Sequence, residues 1–298
     1  MIAVNKGELL ISELERNEFG SIVQRTIATD IQIVELTHKN FSATISLYGG
    51  QVLSWKPNKQ RDVFWLSKRT FYEKGKAIRG GIPLCWPWFG AHKDAGNHGF
   101  ARNVNWQLDN FSVDSRAITI KLSLEGEQAY NVWPYKYRVV QTIVISDTFS
   151  QSLVVQNLSD RVFQFNGALH SYFQVSDPAN VAVPGLNSHF YDDKISSYLN
   201  CPPRDVLDCT GPIDRIYHSD ASVTLFDKVW KRAIEINKSN CPQWVLWNPG
   251  KDIALSMDDI HQLGENEFVC LEAANTNGVT VNPGKSAELF QEIQVYNL

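Results

Sequence analysis

The sequence predicts an all-β protein, read as one antiparallel domain over residues 1–298. Apolar and polar residues alternate at period two in run after run, and turn signals punctuate these runs at short intervals. No window of helical length keeps a clean 3.6-residue apolar stripe. Ile31, Ile33 and Leu36 open the series as a strand. Ala43, Ile45 and Leu47 follow, alternating with Thr44, Ser46 and Tyr48 until Gly49-Gly50 ends the run. Asp114-Ser115 turns the chain into a strand carrying Ile118, Ile120, Leu122 and Leu124, which Gly126 terminates. Residues 137–145, 153–157 and 162–175 read as further strands, separated by Ser146-Asp147 and Ser159-Asp160. Later runs are 223–226, 244–247, 268–271 and 287–295. Only 73–77 and 257–263 read as short helical pieces. Strands at this spacing fit a sandwich or a barrel.

Composition bounds the function classes. The 298 residues are 43% hydrophobic and 20% charged, with a net charge of -4, which argues against a disordered chain. No stretch approaches the ~20 apolar residues that span a bilayer. Met1 to Gly20 carries Lys6, Glu8, Glu13, Glu15 and Arg16 without a leader-like apolar run, so the expectation is a cytoplasmic protein. The cysteines, Cys85, Cys201, Cys209, Cys241 and Cys270, are odd in number and lack CxxC spacing, which favours reduced thiols over disulfides or zinc. The mild acidity leaves no nucleic-acid footprint and implies that any anion site is basic only locally. Nine Trp, 15 Phe and 10 Tyr supply a large aromatic core or platforms for ring-shaped ligands.

Familiar motifs are missing: there is no GxGxxG, no GxxxxGK[ST], no GxSxG and no HExxH. Chemistry must come from scattered polar residues, and five segments stand out. In residues 77–90, Gly80 and Gly81 next to Arg79 would let a ligand approach the backbone, and Pro83 and Pro87 stiffen the loop. The plainer reading is a rigid aromatic loop with a surface arginine. Asn97-His98-Gly99-Phe100-Ala101-Arg102 sets an imidazole and a guanidinium four residues apart. Arg79 and Arg102 together suit a phosphate or carboxylate, although an isolated arginine more often makes a surface ion pair. His170, inside the alternating run 163–173, is either structural or a proton-transfer group. Glu272 ends the hydrophobic run Phe268-Val269-Cys270-Leu271, where burial would raise its pKa; a cross-strand salt bridge is the alternative. Asp214 follows the Gly211-Pro212 turn and could equally cap it or pair with Arg215.

Together and in this order, these segments resemble the aldose 1-epimerase (galactose mutarotase-like) superfamily, and within it the glucose-6-phosphate 1-epimerases. The resemblance runs from about Ile33 to Val295. It rests on RGGIPLCWPWFG at 79–90, NHGFARN at 97–103, LHSYF at 169–173, the Asp214-Arg215-Ile216-Tyr217 turn and FVCLE at 268–272. It implies a β-supersandwich with the sugar site on a concave sheet face, His170 as general acid and Glu272 as general base. Arg79, Asn97, Arg102 and Asp214 would contact substrate, with His98 beside them. Asn97 stands where a Gln is expected, and Ala273 where a Pro or another small residue often follows the Glu.

Mutarotation suits this inventory. A base takes the proton of the C1 hydroxyl while an acid protonates the ring oxygen. The aldehyde rotates about C1–C2, and closure reverses both transfers. Each group serves in both protonation states, which favours pKa values near working pH. No metal or organic cofactor is expected. The expected ligand is a hexose 6-phosphate bound by Arg79 and Arg102, with Asp214 accepting from ring hydroxyls, and the expected state is a monomer without nucleic-acid or membrane partners. Trp86 and Trp88 could stack on the sugar or belong to the core.

Overall fold

The computed structural model describes residues 11–27, 30–127 and 131–298. Residues 1–10, which hold much of the segment read for a leader, lie outside it. The described chain is all-β, with three large antiparallel sheets and a small hairpin. Alternation writes these sheets directly. Along Thr148–Asn157, Phe149, Gln151, Leu153, Val155 and Asn157 are buried and their neighbours are not, and Lys136–Ile145 follows the same rule.

Those two strands lie inside an eight-stranded sheet, between Ser286–Asn297 on one side and Ile118–Glu127 on the other. A second eight-stranded sheet runs Tyr198–Cys201, Tyr191–Asp193, Ile213–His218, Gln243–Asn248, Phe268–Val281, Phe163–Leu169, Leu84–Cys85, with Tyr172–Gln174 also paired to Phe268–Val281. A five-stranded sheet holds the strands from Ile11–Arg16 to Gln51–Pro57. All three contribute to one main core cluster, for example through Trp55, Phe149 and Leu271. This is the layered arrangement that buries one face of each sheet. No helix among the described residues is long and apolar enough to cross a membrane.

Two local expectations are corrected. Residues 73–77 form a turn, closed by Lys76 N–H donating to Glu73 O at 3.1 Å, with Gly75 at φ +87°. Residues 257–263 are also turns ending at Leu263, φ 61°, and the short helix lies just before them at Gly250–Leu255. In addition, the run read as one strand over 162–175 is two strands with a break at His170-Ser171, where His170 N–H donates to Pro83 O at 3.1 Å.

A chain of buried amides ties the layers together. Gln141 Nε2 donates to Gly50 O (2.6 Å), Gln151 Nε2 to Gln141 Oε1 (2.6 Å) and Gln291 Nε2 to Gln151 Oε1 (2.8 Å). Ser171 Oγ donates to Gln291 Oε1 at 3.2 Å, so the chain ends beside the strand break. All four side chains are fully buried. A satisfied buried network specifies one packing, whereas a broken one strands its members. Gln291→Leu should therefore lower unfolding stability by about 1–3 kcal/mol. Urea titration checks this, and an unchanged midpoint would contradict it.

Candidate active site

The strand register builds the site. Leu169 faces Ala273 and Tyr172 faces Cys270, so the register is unchanged across the break and sets His170 opposite Glu272. Glu272 in turn faces Val245, and Val245 faces Ile216. The neighbouring row on the same face runs Tyr172, Cys270, Trp247, Asp214. Period-two alternation thus delivers His170, Glu272 and Asp214 to one face while Leu169, Ser171 and Leu271 go to the core.

The 79–102 segment closes the site from the side. Gly80 (φ +112°) and Gly81 (φ +63°) lie so close to the backbone of Trp65 and Val52 that a Cβ would collide there. Their smallness therefore serves loop packing, where ligand approach was the expectation. His98, itself at φ 64°, accepts from Gly90 N–H through Nδ1 at 3.2 Å, which leaves Nε2 to carry its proton. Its ring meets that of His170 edge-on at 5.8 Å.

A cavity of about 430 Å³ opens on this face. Arg79, Asn97, His98, Arg102, His170, Asp214 and Glu272 all line it. The seven polar residues singled out as site candidates thus meet in one place. Trp86 and Trp88 do not: Trp86 is fully buried against Trp133 and Tyr137, and Trp88 packs on Phe100 and His92 away from this cavity. The tryptophan of the cavity is Trp247, edge-on to His170 at 6.1 Å, and Lys194 and Met257 join the lining. Sequence reading missed these three because cross-strand register and loop return decide their place.

Charge is distributed unevenly. Arg79 is committed: Nε donates to Asp259 at 3.0 Å and Nη1 to the Tyr172 hydroxyl at 2.9 Å. Arg102 is not. Its Nη2 donates to the Asn97 carbonyl at 2.9 Å, its Nε has no partner, and it makes no salt bridge among the described residues. Asn97 contributes this carbonyl from an exposed position at the rim. Burial raises the Asp214 carboxyl, against the pull of Lys194.

His170 Nε2 lies 3.3 Å from Glu272 Oε1, with both side chains buried. Burial pushes the Glu272 carboxyl well above the usual carboxylate range, and the Asp214 charge adds to this. Burial also holds His170 well below the ordinary imidazole value, assisted by His98, Arg102 and Arg79. His98 is lowered to about 3, again chiefly by burial, so it stays neutral.

The family model for aldose 1-epimerase matches residues 32–294. The chain belongs to the aldose 1-epimerase family. A provisionally named glucose-6-phosphate 1-epimerase from Escherichia coli (strain K12) is 32% identical over 93% of this chain and 95% of its own length. One of the same provisional name from Cenchrus ciliaris is 31% identical over 83% of this chain and 79% of its own. Among solved structures, a provisionally named mutarotase from Salmonella typhimurium superposes with a TM-score of 0.88 at 30% identity, covering 97% of each chain. The all-β, mutarotase-like fold is thereby shown.

Mutarotase-type chemistry, the opening and closing of a sugar ring, fits an aldose 1-epimerase family site that holds a proton donor and acceptor in contact. The neutral arrangement, carboxyl beside imidazole, is the one burial favours. Moving one proton across the pair would give carboxylate and imidazolium. We expect a protonated-carboxyl stretch in the infrared spectrum near neutral pH that Glu272→Gln removes; its absence from the wild type would contradict the raised pKa. The sign for stability follows. The unfolded chain ionises Glu272 near the ordinary glutamate value of 4.5 and the folded chain higher, so this residue's contribution declines as pH rises above 4.5.

Proposed function

We propose that this protein interconverts the α and β anomers of glucose 6-phosphate. The observation that carries the reading is the His170–Glu272 pair sharing one cavity with Arg102, a cation without a carboxylate partner. Glu272, as carboxylate, takes the proton of the C1 hydroxyl, and His170, as imidazolium, protonates the ring oxygen. Both oxygens are borne by C1, so two groups 3.3 Å apart can address them together. After rotation about C1–C2 the same groups act in reverse, and the pair returns to its starting proton count.

Arg102 receives the 6-phosphate through the Nη N–H groups not held by the Asn97 carbonyl, with Arg79 adding N–H groups beyond those held by Asp259 and Tyr172. His98 donates from Nε2 to a substrate oxygen, Asp214 accepts from ring hydroxyls, and Asn97 shapes the rim. The names borne by the relatives from Escherichia coli and Cenchrus ciliaris support the same substrate.

The test is the anomerisation of freshly dissolved α-glucose 6-phosphate and α-glucose, each followed with a β-specific dehydrogenase. The reading predicts a higher kcat/KM for the phosphorylated sugar. Equal or higher efficiency on glucose would assign the site to unphosphorylated aldoses, and binding without turnover would make it a sugar-phosphate receptor.

A further inference from the structure

Tyr172 carries no proton in the scheme above, yet it touches both halves of the site. Its ring lies almost parallel to His170, with centroids 4.8 Å apart and an interplanar angle of 7°. Trp65 stacks on it at 5.8 Å and 22°, and Trp247 meets it edge-on at 6.0 Å. The side chain is 1% exposed. Its hydroxyl accepts from Arg79 Nη1 at 2.9 Å, and Arg79 Nε is held on its other side by Asp259. His170 Nδ1 has no hydrogen-bond partner among the described residues, so beyond the Nε2 contact with Glu272 the imidazole is held by ring packing, with Tyr172 face-on and His98 and Trp247 edge-on. Tyr172 alone of these rings packs face-on against the imidazole, and the far end of the same ring shares the guanidinium with Asp259.

We propose that Tyr172 is a positioning residue that couples anion recognition to the proton donor: its ring fixes His170 and its hydroxyl fixes Arg79. The inference rests on the mutarotase reading for its kinetic consequence, though not for its geometry. A phosphate seated on Arg79 and Arg102 is placed relative to His170 by one rigid ring, so the sugar's C1 end arrives in register with the acid. Such positioning is effective because small displacements of reacting groups cost large factors in rate. The two contacts are separable by substitution. Tyr172→Phe keeps the ring and removes the hydroxyl, whereas Tyr172→Leu keeps apolar bulk and removes the stack.

Two measurements test this: calorimetric binding of inorganic phosphate, and kcat and KM on glucose 6-phosphate. Tyr172→Phe should weaken inorganic phosphate about three- to tenfold, because a loosened Arg79 must be ordered on binding. Its KM should rise in parallel while kcat stays within about twofold. Tyr172→Leu should show the same weakening and a kcat lower by about tenfold or more. A purely structural role would lower the melting temperature of both variants without splitting kcat from KM. The proposal is overturned if the wild type binds no inorganic phosphate, if Tyr172→Phe binds it as the wild type does, or if Tyr172→Phe loses as much kcat as Tyr172→Leu. Should Tyr172→Leu fail to fold, the phosphate titration of Tyr172→Phe decides alone. A wild type that binds phosphate but does not anomerise glucose 6-phosphate defeats the mutarotase reading, and the phosphate titration still judges the Arg79 contact.

Discussion

Glu272→Gln and His170→Asn are each expected to lower kcat by about 10²–10⁴-fold, the usual worth of a positioned acid or base. Glutamine keeps the volume of Glu272 and asparagine is smaller than His170; both remove the proton function. Glutamine cannot take the C1 proton, and asparagine cannot protonate the ring oxygen. The two losses should not add. His170 and Glu272 lie 3.3 Å apart in a buried site and act as one acid–base pair in the proposed scheme, so removing either leaves the other without its partner. The double variant should be little slower than the worse single one. Inorganic phosphate should bind all three variants with affinity close to the wild type, because Arg102 and Arg79 are untouched. Steady-state rates and calorimetry check both statements. Near-wild-type turnover in either single variant would refute the assignment.

Arg102→Ala should raise KM for glucose 6-phosphate by about 10- to 100-fold, the range expected on losing a hydrogen bond to a charged group. The effect on glucose should be small. The asymmetry comes from pairing. The charge of Arg79 is balanced by Asp259 at 3.0 Å, whereas Arg102 has no carboxylate partner and an unsatisfied Nε. Arg79→Ala is accordingly expected to act more weakly on phosphate affinity and more on the order of Tyr172. Equal losses on phosphorylated and free sugar in Arg102→Ala would remove the phosphate contact from the account.

Much of this architecture was legible from alternation alone. Residues 137–145 and 153–157 read as strands because a half-buried strand needs an apolar side chain every second residue, and in the structure the second of them begins earlier, at Thr148. The break at His170-Ser171 was not legible, because alternation continues through it: Leu169 and Ser171 stay on the core side, and His170 and Tyr172 stay on the cavity side. The helix at Gly250–Leu255 is too short for a 3.6-residue stripe to show.

For the site, all seven residues drawn from motif order line one cavity, including Asn97 despite its departure from the expected Gln. Their partners were hidden for a physical reason. Asp259 reaches Arg79 across 180 residues, and Trp247 reaches His170 through two cross-strand pairings, so neither has a local signature. The sequence charge of -4 was silent on a balance that is settled locally, where Asp259 neutralises one arginine and leaves the other free.

The central claim is anomer interconversion of glucose 6-phosphate by the His170–Glu272 pair. Proton exchange spectroscopy on an equilibrium mixture of the sugar phosphate measures it without a coupling enzyme. The account predicts cross peaks between the α and β C1 protons that grow with enzyme concentration and disappear with Glu272→Gln. An exchange rate with enzyme equal to that in buffer would contradict it.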